Sequence, residues 1–403
     1  MGKVASCHQH HCSCIAALSL LGGTKATEKQ RRRLTLGKEI SESPLNDHDK
    51  LDLALLAELS QTNLMEFLKS VDSAGHHTGI VGSKMDSSNM RRSFGSKTLE
   101  QQGSRVEEVM FGVGFACKKG LKPESPNQDS LCIIKVDNDF SIYGVFDGHG
   151  TKGHAISDFV KENLPKLMLR DERFKTKTAD CLRDAFKKMQ DMLAANEKTD
   201  EKVCSASMSG TTACVVVHHH VSDTIFVAHV GDSGCCVSRR ISPNEIAASA
   251  LTKNHKPQFP EEKRRIERNG GRVAFDGFAN HRVYARNEHY PGLNMSRCLG
   301  DLLGHSDAGL TSEPDIKEFQ LAPEDECIVL CTDGVTEFIS WQELVDLLGA
   351  FGPENAQAAA EKLAKDAWDR WLSEEGGMVV DDITAVVIYT HPPRERKLEQ
   401  CSA

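Results

Sequence analysis

Four apolar runs in this chain end or begin on a carboxylate. Residues 142–146 lead into Asp147-Gly148-His149-Gly150, residues 328–331 into Thr332-Asp333-Gly334, and residues 224–230 into Gly231-Asp232-Ser233. In the fourth, Asp381-Asp382 opens the run 383–388. Runs of this length, rich in branched side chains and bounded by turn residues, predict buried strands. Charges gathered at the ends of core strands are costly to bury without compensation. Clustered oxygen donors match a hard divalent cation. The pattern predicts packed strands with a metal site at their ends.

The other features narrow the class. A chain of 403 residues has room for one large core or a few smaller ones. A net charge of −9 gives no support to a nucleic-acid partner. The fourteen cysteines are scattered singly through apolar runs and include no C-x-x-C pair, which fits reduced thiols rather than a disulfide frame or a zinc cage. Vicinal Cys235-Cys236 reads as strand packing. No apolar stretch approaches the roughly 20 residues of a membrane-spanning helix. There is neither a phosphate-cradling G-x-x-x-x-G-K-[ST] sequence nor regular β-α-β alternation.

Residues 1–105 read as a largely disordered regulatory tail, because 75–103 is too polar to offset its ordering entropy. Within it, Leu51, Leu55, Leu56, Leu59, Met65 and Leu68 recur at helical spacing, predicting an amphipathic helix over 49–71 with Asp49 as N-cap. Such a helix either docks or inhibits, or simply lies on the main domain. At the start, Met1-Gly2-Lys3-Val4-Ala5-Ser6 matches the myristoylation pattern, with Gly2 the acceptor. Cys7, followed by Cys12 and Cys14, is placed for palmitoylation, and Arg31-Arg32-Arg33 supplies a basic patch. The pattern favours acylation, and so attachment to the cytoplasmic face of a membrane, over an unmodified tail or a short signal peptide built on 15–21.

Residues 106–391 read as one domain and 392–403 as a short C-terminal tail. Strand signals fall at 110–117, 130–136, 142–146, 211–217, 224–230, 235–238, 327–331 and 383–389. Helical stripes follow Asp147-Gly148 and recur over 179–196 and 356–372. Short strands with helices gathered in pairs indicate an α+β layered architecture.

Nine blocks then occur in order: Asn127-Gln128-Asp129-Ser130, Val145-Phe146-Asp147-Gly148-His149-Gly150, Ser209-Gly210-Thr211-Thr212-Ala213, Val230-Gly231-Asp232-Ser233, His255-Lys256-Pro257, Met295-Ser296-Arg297-Cys298-Leu299-Gly300-Asp301, Glu313-Pro314-Asp315, Thr332-Asp333-Gly334 and Asp381-Asp382-Ile383-Thr384. Together they resemble the metal-dependent serine/threonine protein phosphatases of the type 2C class. The resemblance covers 127–384 and makes 106–391 the catalytic domain. It implies a four-layer αββα sandwich, with two antiparallel β-sheets flanked by helix pairs, a cleft holding two Mg²⁺ or Mn²⁺ ions, and phosphoproteins as substrates for a monomeric catalytic domain.

Carried over motif by motif, Asp147 would bridge both ions and the Gly148 carbonyl would bind one. Asp333 and Asp381 would complete the second, and Asp129 would hold metal-bound water. A bridging hydroxide would attack phosphorus in line, and His149 would protonate the leaving alkoxide as general acid. Dications beside that imidazole would lower its pKa. Asp232 and Glu337 resemble ligands of a weaker third ion, although glutamate is longer than the usual aspartate. Asp301 either shapes the cleft or satisfies backbone donors in a tight turn, and Asp382 is structural. Lys122 stands nearest the position of a phosphate-gripping arginine, but offers a point charge without the bidentate fork. Residues 272–294 resemble a variable flap, with Arg282, Tyr284, Arg286, His289 and Tyr290 available to a phosphopeptide. The altered phosphate grip motivates the competing reading, a catalytically weak scaffold that binds phosphoproteins.

Overall fold

Branched and aromatic side chains pack best on a pleated, half-buried surface, and the apolar runs are rich in them. The computed structural model describes residues 58–59, 64–71, 78–84, 93–103, 106–122, 125–198 and 205–390. Gly2, Cys7, most of the helix expected over 49–71 and the tail 392–403 lie outside the described residues. In chain order the strands are β1 (Thr78–Ser83), β2 (Leu99–Gly103), β3 (Val113–Lys118), β4 (Asp129–Val136), β5 (Phe140–His149), β6 (Gly210–Thr211), β7 (Ala213–His219), β8 (Thr224–Val230), β9 (Gly234–Ser242), β10 (Glu245–Ala250), β11 (Gly271–Phe275), β12 (His281–Ala285), β13 (Pro291–Leu293), β14 (Leu299–Gly300), β15 (Asp315–Gln320), β16 (Asp325–Cys331) and β17 (Ile383–Tyr389). The helices are α1 (Leu64–Val71), α2 (Val106–Val109), α3 (Gly153–Arg170), α4 (Thr178–Glu197), α5 (Pro260–Arg268), α6 (Leu302–Asp307), α7 (Asp333–Thr336), α8 (Trp341–Leu348) and α9 (Ala356–Glu374).

Two antiparallel sheets form the middle of the sandwich. The first runs β15-β8-β7-β5-β4-β1-β2, with β6 and β14 attached beside the end of β5, and the second runs β10-β9-β16-β17-β3. Between them Leu131, Ile133, Tyr143, Val145 and Val216 meet Val237, Ile328, Leu330 and Val386. Successive residues of a strand point to opposite faces, so the alternate residues Val329, Ala385 and Val387 face outward. They pack on Leu344, Leu348, Leu363, Ala364 and Ala367 of α8 and α9. On the other side α3 lies across β4 and β5 and packs against α4. Ile156, Val160, Leu164 and Met168 of α3 are buried, as are Leu182, Phe186 and Met189 of α4. The layers are the αββα sandwich expected. Ser340 starts α8 with a capping box, its hydroxyl accepting from the Glu343 N–H while Glu343 accepts from the Ser340 N–H.

The boundary expected at residue 105 falls inside the folded unit, and for the described residues 78–84 and 93–103 this corrects the reading as tail. β1 pairs along β4 from Thr78 opposite Val136 to Gly82 opposite Cys132, and β2 pairs with β1. Ile80 and Val81 are buried in the sheet. Mean polarity concealed the strand because its few apolar side chains, and two of its polar groups, cover the edge of β4. Ser83 Oγ accepts from the Leu131 N–H at 3.1 Å, and Lys161 Nζ donates to the Ser83 carbonyl. α1 is the longer described part of the amphipathic helix and lies on α3, the Leu64 N–H donating to Glu162 at 3.3 Å; ahead of α1, the Leu59 carbonyl accepts from Lys166 Nζ at 2.8 Å.

His218 and His219 end β7 and His220 follows in the turn, and all three are only part-exposed. His219 Nε2 lies 2.8 Å from Thr178 Oγ1, and His220 Nε2 2.8 Å from Ser141 Oγ. The nine cysteines among the described residues are free and buried.

If β1 is a working strand, Ile80→Ala lowers stability by about 2–5 kcal/mol, as for other buried truncations. Equilibrium denaturation of the full chain measures it. A change within error would return this segment to the tail.

Candidate metal centre

The strand ends bring the acids together. Asp129 of β4 lies opposite Asp147 of β5, so both leave the first sheet at the same end. In the second sheet β16 runs through Thr332 into α7, whose first residue is Asp333, while Asp381 and Asp382 immediately precede β17. Thr332 joins the two sheets here. Its hydroxyl accepts from the Thr384 N–H at 3.1 Å and donates to Asp129 Oδ2 at 2.9 Å. Asp147 is held by Thr212, whose hydroxyl accepts from the Asp147 N–H at 3.0 Å. At Gly148 an added Cβ would lie 2.3 Å from the Gly153 carbonyl oxygen, so only glycine lets the end of β5 press against the start of α3.

These carboxylates are under-satisfied. Asp129 Oδ1, Asp232 Oδ1 and Asp333 Oδ1 are buried without a hydrogen-bond partner. Burial, with Asp382 next, pushes the Asp129 carboxyl up to about 8. Burial, then Asp232 and Asp381, pushes Asp333 up to about 7. Asp147 is raised well above the usual carboxylate range by burial and then by Asp129, Asp333 and Asp381. Orphaned buried oxygens are rare in folded proteins, and on neighbouring carboxylates they are the kind of donor a hard cation would satisfy. Oxygen donors alone suit Mg²⁺ or Mn²⁺. The residues present fit the group the sequence implies.

Three lysines brace the cluster. Lys122 is ion-paired with Asp381, and Lys256 with Asp232 at 2.6 Å. Lys97 is buried beneath Asp129, its ammonium donating to the Asp129 carbonyl and, at 3.1 Å, to Ser130 Oγ. Lys97, Lys256 and Thr332 were not singled out from the sequence. Lys97 sat in a stretch whose polarity suggested tail, and Lys256 and Thr332 lay inside recognised blocks with no carboxylate of their own. Asp382 is structural as expected, accepting from the Gly120 and Gln128 N–H groups at 2.7 and 2.8 Å. Glu337 is exposed one turn beyond Asp333, and its charge acts on Lys256, the partner of Asp232.

His149 ends β5, and its Nε2 lies 2.5 Å from Asp301 Oδ2. Burial alone would lower its pKa, but the Asp301 carboxylate beside it, by charge and hydrogen bond, turns the net shift upward. Asp301 adopts a left-handed backbone, φ 42°, a strained conformation for a non-glycine residue. Its side chain faces His149 and makes no cap to the helix it precedes, which decides between the two readings of this residue. At Gly210 a Cβ would lie 2.2 Å from Asp301 Oδ2 and 2.8 Å from His149 Nε2, so the strand crossing this pair must be bare.

The flap is the three-stranded sheet β11-β12-β13. Two of its expected substrate contacts are engaged internally: Arg282 pairs with Asp276 at 3.0 Å, and Tyr290 donates to Asp307 at 2.8 Å. Arg286 and His289 are exposed.

Comparison with known proteins agrees with this architecture. The family model for protein phosphatase 2C matches residues 116–375. A probable protein phosphatase 2C 48 of Oryza sativa subsp. japonica is 32% identical over 320 residues, covering 74% of this chain and 82% of that one. Protein phosphatase 2C 1 of Paramecium tetraurelia is 33% identical over 270 residues, covering 62% of this chain and 83% of its own. Among solved structures, a serine-threonine phosphatase 2C from Toxoplasma gondii aligns with a TM-score of 0.60 at 20% identity, over 69% of this chain and 94% of that one. At that identity the likeness is one of fold.

The raised carboxyls link stability to pH. Each is ionised in the unfolded chain above about pH 4 and resists ionisation when folded, so it favours folding at low pH and loses that contribution as pH rises through its folded value. Asp333, at about 7, and Asp129, at about 8, set the window. The metal-free protein therefore melts at progressively lower temperature from pH 5 to pH 8 (about 4 to 8 for the full titration), and Mg²⁺ recovers most at the alkaline end. A melting series with and without chelator tests this; a flat chelated series would show that folding does not resist ionisation of these carboxyls.

Proposed function

The chain belongs to the protein phosphatase 2C family of metal-dependent serine/threonine protein phosphatases, and from that premise we propose the arrangement by which it removes phosphate from phosphoserine and phosphothreonine in proteins. Asp147, Asp333, Asp381 and the Gly148 carbonyl hold two hard divalent cations, Mg²⁺ or Mn²⁺, and Asp129 orients water among them. Asp232 and Glu337 hold a weaker third. Bound there, the cations acidify water and offset phosphoryl charge. The observation that carries this reading is the set of buried carboxylate oxygens with no partner.

The chain's own groups supply the rest. His149 gives its proton to the serine or threonine oxygen as the bond to phosphorus breaks. Asp301, hydrogen-bonded to the imidazole, favours its protonated form against burial and fixes its orientation. Lys122 bears on the same cluster, and its ammonium meets the substrate phosphate as a point charge. No side-chain nucleophile and no covalent intermediate are required.

Phosphate release from a phosphothreonine peptide with Mn²⁺, Mg²⁺ or chelator is the direct assay. Asp147→Asn should lower turnover by on the order of a thousandfold or more, since several kcal/mol of charge stabilisation are lost. His149→Ala should cost about 10²–10⁴-fold on the phosphopeptide. On an aryl phosphate, whose leaving group needs no proton, the loss should be far smaller. Equal losses on both substrates would remove His149 from the role of acid.

We also propose that Gly2 is myristoylated and Cys7 palmitoylated, tethering the enzyme to a cytoplasmic membrane face. The support is the N-terminal pattern alone. Gly2→Ala should move the protein to the soluble fraction of cells, and unchanged fractionation would defeat the idea.

A further inference from the structure

The carboxylate centre takes hard cations, but beside it the chain assembles a softer donor set. His149, Cys298 and Asp301 each offer one ligand atom, and the three atoms lie within 4.8 Å of one another. Asp301 Oδ2 is their common neighbour, 2.5 Å from His149 Nε2 and 3.3 Å from Cys298 Sγ. Zinc–sulfur and zinc–nitrogen bonds of about 2.3 and 2.0 Å put neighbouring donors of a tetrahedral shell roughly 3–4 Å apart. The Cys298–Asp301 pair already has that spacing, and the His149–Asp301 pair must open by about half an ångström or more to reach it.

The backbone behind the cluster is fixed. The turn through Gly300 and Asp301, both with positive φ, returns the Asp301 side chain toward Cys298. The Gly300 N–H donates to Gln190 at 2.8 Å, and the Asp301 N–H donates to the Ser209 carbonyl at 2.9 Å. His305 Nε2 lies 3.2 Å from the Cys298 carbonyl, so it carries the proton and donates there. That nitrogen is thereby excluded as a ligand, and its ring packs 3.9 Å from the thiol. Cys298 and Asp301 are buried, while the His149 side chain is 18% exposed and provides the approach.

We propose that His149, Cys298 and Asp301 form a second cation site, which takes a soft divalent ion such as Zn²⁺ through one nitrogen, one sulfur and one oxygen. Mixed imidazole and thiolate donors select zinc over magnesium, and three protein ligands leave one position for water. On binding, the Cys298 thiol releases its proton to solvent and the thiolate takes the metal. A cation on Nε2 keeps the ring from becoming the imidazolium whose proton serves the leaving alkoxide, although Nδ1 retains its own proton. Occupation therefore suppresses turnover, a consequence that rests on the acid role given to His149 above.

The test uses the full chain saturated with Mg²⁺, and Co²⁺ as a coloured stand-in for zinc. A thiolate-to-cobalt absorption band that Cys298→Ser removes is the expected result. In parallel, the Zn²⁺ concentration that halves phosphopeptide turnover should rise at least about tenfold in the variant, the scale of weakening seen even for lost outer-sphere partners. Where serine disturbs the buried turn, Cys298→Ala provides the same comparison without a polar atom. A cobalt spectrum identical in the wild type and both variants overturns the site. So does equal zinc inhibition of all three, which would locate zinc at the carboxylates. A Cys298-dependent band without inhibition supports the site and instead overturns His149 as the acid.

Discussion

The mutual repulsion of buried carboxylates is the constraint from which the rest of this molecule follows. Asp129 and Asp147 are neighbours on adjacent strands, and Asp333 is brought against Asp147 from the other sheet. Left alone, such a cluster would force the sheets apart, because charge in a low-dielectric interior is paid for at several kcal/mol per unpaired ion. The chain counters this with antiparallel ladders on both sheets and with Thr332, which bonds across them. The β-sandwich behaves as a clamp, and its apolar filling supplies the closing force.

A second layer of support comes from farther out. Trp371 of α9 donates from its indole to the Gly334 carbonyl at 2.8 Å, fixing the turn that presents Asp333. Phe338 packs edge-on against the same indole at 4.8 Å between ring centroids. Helix packing thus reaches the site through one hydrogen bond, and the site's geometry belongs to elements widely separated in the sequence.

Much of this was legible beforehand for a physical reason. The runs ending at Asp147 and Asp333 carry their own signals, since branched side chains demand a sheet and a carboxylate at the end of a core strand demands a partner. What stayed hidden had no such local mark. β1 and β2 are short, polar strands that acquire their order from the edge of β4. The edge strands β10 and β15 alternate too weakly to be read, being largely exposed. Lys97 looks like any surface lysine until the fold buries it under Asp129. Arg282 and Tyr290 looked available to a ligand because sequence cannot reveal that Asp276 and Asp307 already hold them.

The two lysines paired with Asp381 and Asp232 carry an implication of a different kind. Their ammoniums set positive charge of the chain's own against two of the clustered carboxylates and offset part of their repulsion. On the proposed function, loading would exchange one positive charge for another, and its affinity would be a difference between two attractions. On the same reading, displacing Lys122 from Asp381 would free an ammonium beside the carboxylates. The order of assembly proposed for that function would then follow from the pairing: the ion would enter first, and the displaced lysine would then be free to meet the phosphoryl group.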